Sequence, residues 1–106
     1  MHSEEETIAT ELILRHFVPD LIPNGEERLE EVRQLLIERI NFLLDHDFEK
    51  LLWILYRIDV SEEKAKMALS ESSGRTPAQA LAELIIDRQI EKVKARARLR
   101  NDRREK

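Results

Sequence analysis

The residues Asp45-His46-Asp47 have the types needed for acid–base or metal chemistry. Two carboxylates beside an imidazole can raise its pKa or offer ligands to a divalent cation. Adjacent residues, however, rarely converge on one point, and His2 and His16 are distant in the chain. Each member also has a structural use. Asp47 suits the N-cap of a helix starting at 48, and His46 complements the dipole at the end of the helix before it. Cysteine is absent. That excludes disulfides, thiolate zinc sites, iron–sulfur clusters and cysteine nucleophiles.

Two further groups invite a chemical reading. Ser61-Glu62-Glu63-Lys64 fits the Ser-x-x-Lys pattern of penicillin-recognising serine enzymes, but the companion motifs are missing and the chain is too short for that fold. Ser61 as an N-cap, with acidic residues in the first turn, explains the same four residues. Trp53 and Tyr56 suit a ligand pocket. Within so apolar a segment they are expected in the core, with their polar tips at its edge. No catalytic set converges, so the expectation is a non-enzymatic protein with no cofactor and no metal.

The last group is basic. Residues 88–106 hold 9 Lys+Arg and 3 Asp+Glu, a net of +6, which leaves 9 and 19, a net of −10, for residues 1–87. Arg88, Lys92, Arg96, Arg100 and Arg104 recur every fourth residue, so a helix aligns them in one ridge. Like charges at that spacing repel by roughly 0.2–0.5 kcal/mol per pair. An anionic partner would relieve this. Cations near a helix C-terminus also complement its dipole with no partner at all. Nucleic acid would gain by counterion release, yet the ridge has no aromatic residue to stack a base and no RNA-binding motif. The net charge of −4 also opposes long-range steering to DNA. Leu99 is the one large apolar residue beyond Val93, too little for a membrane-surface helix.

These groups must be carried by helices. Two glycines and three prolines in 106 residues leave few turns. Aromatics are 5%, and no β-branched run alternates, which disfavours sheet. The first helix is expected from a Ser3 N-cap to Phe17, with Ile8, Leu12, Ile13 and Phe17 inward and Pro19 ending it. Residues 18–25 read as an irregular connection. A second helix over 26–44 places Leu29, Val32, Leu36, Ile37, Ile40, Leu43 and Leu44 on one side. Leu35 and Phe42 fall on a separate flank, available to another helix or to a second copy.

A third helix over 48–58 is apolar nearly all round, so it is expected to be the central one, with residues 51–56 as nucleus of the core. A short fourth helix follows Ser61 and carries Ala65, Ala68 and Leu69. Thr76-Pro77-Ala78-Gln79 is a capping box with proline at the first helical position. It opens a fifth helix that buries Ala78, Leu81, Ala82, Ile85, Ile86 and Val93 and leaves the core near Val93 or Ala97.

The sequence therefore predicts an all-α fold, a compact bundle of four to five helices with an extended basic C-terminal helix. It predicts one domain over 1–106: an N-terminal helix to 18, a body over 26–93 and a basic extension over 94–106. No apolar run approaches the roughly 20 residues of a membrane span, and the acidic N-terminus is unlike a signal peptide, so a cytoplasmic protein is expected. The function that fits is a small protein-interaction module, self-associating as a homo-oligomer. Its partner surfaces are the basic ridge (Arg88, Lys92, Arg96, Arg100, Arg104), Leu35 and Phe42. The alternative is an accessory nucleic-acid-binding protein that uses the same ridge.

Overall fold

The computed structural model describes residues 4–18, 29–70 and 74–104, with side chains over 7–18, 29–70 and 74–99. These residues form an all-α bundle of five helices: α1 (Glu4–Phe17), α2 (Leu29–His46), α3 (Phe48–Arg57), α4 (Glu62–Ser70) and α5 (Pro77–Arg104). The expected Ser3 cap, most of the 18–25 connection and the first residues of the expected second helix lie outside the described residues.

Local chemistry sets the described boundaries. The Asp47 side chain accepts a hydrogen bond from the Lys50 amide at 3.1 Å and so caps α3. The Ser61 hydroxyl accepts one from the Lys64 amide at 3.4 Å. At α5 the capping box is reciprocal. The Thr76 hydroxyl accepts from the Gln79 amide at 3.1 Å, and the Thr76 amide donates to the Gln79 side chain at 2.9 Å. Thr76→Ala is expected to cost about 1 kcal/mol, read as a lowered urea midpoint at unchanged slope.

The second and fifth helices face inward as their periodicity requires. Val32, Leu36, Ile40 and Leu43 of α2 are buried, as are Ala78, Leu81, Ala82, Ile85 and Ile86 of α5. Leu29, Ile37 and Leu44 pack at the margin of this core. Val93 and Ala97 are half-buried and Leu99 is exposed, so α5 leaves the body where its apolar face runs out. In α1 the buried face is Ala9, Thr10, Ile13, Leu14 and Phe17. The expected stripe was rotated: Ile8 is exposed and Leu12 half-buried. Small Ala9 and hydroxyl-bearing Thr10 occupy the inner positions instead.

The largest departure concerns the centre. The third helix is not the central element. The core is filled by α5, which packs on α1, α2 and α4, while α3 has α2 as its main neighbour. Only Leu51, Ile54 and Leu55 of α3 are buried, followed by the capping residue Ile58. That spacing of i, i+3, i+4 and i+7 is one ordinary helical stripe. Trp53 is 58% exposed and Tyr56 80% exposed, against the core expected for both. The physical reason lies in size. Ala78, Ala80 and Ala82 are buried on α5 and let three helices approach one axis closely. The apolar residues on the other side of α3 have no layer of the described residues over them.

The exit of α3 carries no glycine to mark it in the sequence. Asp59 has φ +60°, the left-handed region normally taken by glycine. The Asp59 amide donates to the Tyr56 carbonyl at 3.2 Å and the Val60 amide to the Leu55 carbonyl at 3.0 Å. This is a Schellman motif with aspartate in the glycine position. Val60 and Leu55, the pair such a motif brings together, are both buried.

Candidate interaction surface

Three helix positions separated by four residues, Phe48, Leu52 and Tyr56, lie on one side of α3, and Trp53 extends that side. All four are exposed. The stripe continues into a groove of about 390 Å³ between α3 and α4. Leu51, Leu55, Val60, Ala65 and Leu69 form its apolar wall, and Glu62 and Lys66 supply charge at its rim. Burying a side chain of this size contributes about 1.5–3 kcal/mol, so the face offers a partner substantial apolar stabilisation. Met67 of α4 is exposed as well, adding a flexible apolar side chain.

The ridge on α5 divides into two halves. Its first members are committed to the body. Arg88 donates to the Asp59 carbonyl at 3.0 Å and pairs with Glu91 at 2.9 Å. Lys92 donates to the Ile58 carbonyl at 3.4 Å and pairs with the Asp59 carboxylate at 3.2 Å. Between them Gln89, 2% exposed, donates its side-chain amide to the same Ile58 carbonyl at 3.2 Å. These three residues satisfy the carbonyls that α3 leaves unpaired at its end, where the dipole favours cations. Gln89 has no part in the reading from sequence; its place between core positions 85 and 93 on a helical wheel is the signal for it. Arg96 is exposed. Residues 100 and 104 continue α5, and the side chains of Arg100 and Arg104 lie outside the described residues.

Leu35 is at the margin of exposure and Phe42 is half exposed. Neither belongs to the buried core. The Phe42 ring is tilted against His46, with centroids 4.6 Å apart, and the Arg39 guanidinium lies 5.9 Å from its centroid. His46 is thus engaged with an aromatic ring, and Asp47 with the α3 cap. Among the described residues no group of three or more histidine or acidic side chains is arranged to hold a metal ion. No helix among them is long and apolar enough to cross a membrane.

His16 of α1 is half-buried. Burial holds its pKa below the usual imidazole value, and the charges of Arg57, Arg15 and Lys92 push in the same direction. Arg57 also lies over the Trp53 ring, 5.1 Å from its centroid, which fixes the guanidinium near the end of α3. Comparison of the chain with protein-family models, with curated proteins and with solved structures returns no match.

Proposed function

We propose that this chain is a non-enzymatic helical interaction module that self-associates through the outer face of α3. The observation that carries the reading is the run of large apolar side chains left exposed there: Phe48, Leu52, Trp53 and Tyr56. Ordinary surfaces scatter such residues singly, whereas a contiguous patch marks an interaction site. A second copy is the occupant that fits. The stripe is evenly spaced about Leu52, so antiparallel pairing of two α3 helices sets Phe48 of each copy beside Tyr56 of the other, with Leu52 on the two-fold axis. Charge favours the same partner, because residues 1–87 carry −10 and residues 88–106 carry +6. Leu35, Phe42 and the ridge residues Arg96, Arg100 and Arg104 extend the contact surface in this reading.

Light scattering across a concentration series tests it. The wild-type chain is expected to exceed monomer mass, and Leu52→Glu combined with Tyr56→Ser to return it to monomer with an unchanged helical circular dichroism spectrum. A wild-type chain that stays monomeric throughout the series overturns the proposal. Binding to duplex or single-stranded nucleic acid, weakening steeply as salt rises, would instead support the reading of α5 as a nucleic-acid contact.

A further inference from the structure

The ends of α1 and α3 meet the middle of α5 at a point where cations gather. His16, Arg57, Lys92 and Arg96 border a cavity of about 90 Å³, and Leu12, Ile58, Val93 and the Gln89 amide complete its lining. The volume is roughly that of three waters, enough for one tetrahedral oxyanion. None of the described lining residues is acidic. The cations come from α3 and α5 and the imidazole from α1, so the convergence is made by the tertiary fold and not by a charge run within one segment.

Each group is positioned with donors to spare. Arg57 is steadied by the Trp53 ring and keeps its planar fork of N–H groups. Lys92 uses its ammonium on the Ile58 carbonyl and the Asp59 carboxylate, which leaves a third N–H. Arg96 has no carboxylate partner among the described residues. One N–H of the Gln89 amide is taken by Ile58, and the other is free of that bond. Guanidinium groups recognise phosphate through paired hydrogen bonds. A carboxylate would occupy two acceptor positions and leave the remaining donors of this pocket unmatched.

We infer that the pocket between α1, α3 and α5 binds a phosphate group, with Arg57 and Arg96 gripping its oxygens, Lys92 neutralising charge and Gln89 and His16 completing the donor set. The shared chemistry is a dianionic tetrahedral oxyanion, free or carried on a side chain. The site shares one residue with the outer face of α3, the Trp53 that steadies Arg57, and phosphate binding is read by a different measurement from self-association. His16 reports on occupancy. It faces Arg15 from its own helix, Arg57 from α3, and Lys92 and Arg96 from α5. A bound dianion cancels their repulsion of the imidazolium, so binding raises the pH at which His16 titrates.

The test is an NMR titration of the full chain at constant ionic strength, with inorganic phosphate in one arm, phosphoserine in a second and chloride in a third. Saturable shifts of the His16 ring and the Gln89 side-chain amide are expected with phosphate, together with a rise in the His16 midpoint. Comparable or tighter binding of phosphoserine assigns the site to a phosphorylated partner, whereas binding of inorganic phosphate alone assigns it to the free ion. Arg96→Gln, at an exposed position, is expected to weaken binding by about tenfold to a hundredfold, and Lys94→Gln on the same helix to change it little. Shifts no different from those in chloride overturn the inference. So does equal weakening by the two variants, which would mean diffuse attraction to the basic helix.

Discussion

Ile85→Ala should destabilise the fold by about 2–5 kcal/mol, and Trp53→Ala by no more than about 1 kcal/mol. Ile85 has no exposed surface and sits on the helix that three others enclose. Removing its side-chain carbons loses their transfer energy and leaves a cavity that closely packed neighbours only partly fill. Trp53 is much the larger side chain, but most of it already faces water, and what it loses is contact with the Arg57 guanidinium. Urea unfolding followed by circular dichroism gives both values on one scale. A Trp53→Ala loss equal to that of Ile85→Ala would restore α3 to the centre and remove the exposed face on which self-association rests.

Asp59→Val should cost about 1–2 kcal/mol, because a branched Cβ strains left-handed backbone more than aspartate's does and the pair with Lys92 is lost. Aspartate tolerates that conformation better than most residues. Asp59→Gly separates the backbone from the carboxylate. It relieves the steric penalty, adds unfolded-state entropy of about 0.5–1 kcal/mol and gives up the exposed pair with Lys92, so the net change should be small. The same unfolding assay compares the two variants. If valine is tolerated as well as glycine, the Schellman exit of α3 is not what fixes the turn into α4. The position matters because the Ile58 and Asp59 carbonyls are where α5 grips α3, through Arg88, Gln89 and Lys92.

Much of this architecture can be read from residue spacing. The capping box at Thr76, the Asp47 cap and the inward faces of α2 and α5 follow from local rules that need no tertiary knowledge. The identity of the central helix does not. A segment apolar on all sides signals burial only if neighbours exist to surround it, and the bundle spends its neighbours on α5. The charges of residues 83, 87 and 88 hide how completely the first half of α5 is enclosed, since Arg33 pairs with Glu83 at 2.8 Å and Arg88 reaches the end of α3. Asp59 is not legible as a left-handed exit because glycine is the usual mark of one. The cationic pocket was hidden for another reason. His16, Arg57 and Arg96 are far apart in sequence, and only the crossing of three helices brings them together. The ridge of five cations follows from its period, but the commitment of Arg88 and Lys92 to the body depends on where α3 ends.

The helix that fills the core and the helix that bears the basic ridge are one object. Over 28 residues α5 runs about 42 Å, close to the 49 Å long axis of the described molecule, with no glycine or proline between Ala78 and Arg104. Whatever the terminal arginines hold is therefore set at a defined angle to the bundle, because the rod has no swivel. Its azimuth is quantised by the winding itself. One residue inserted between Gln89 and Arg96 would carry the whole outer row around the axis by about 100° and leave the enclosed half in place.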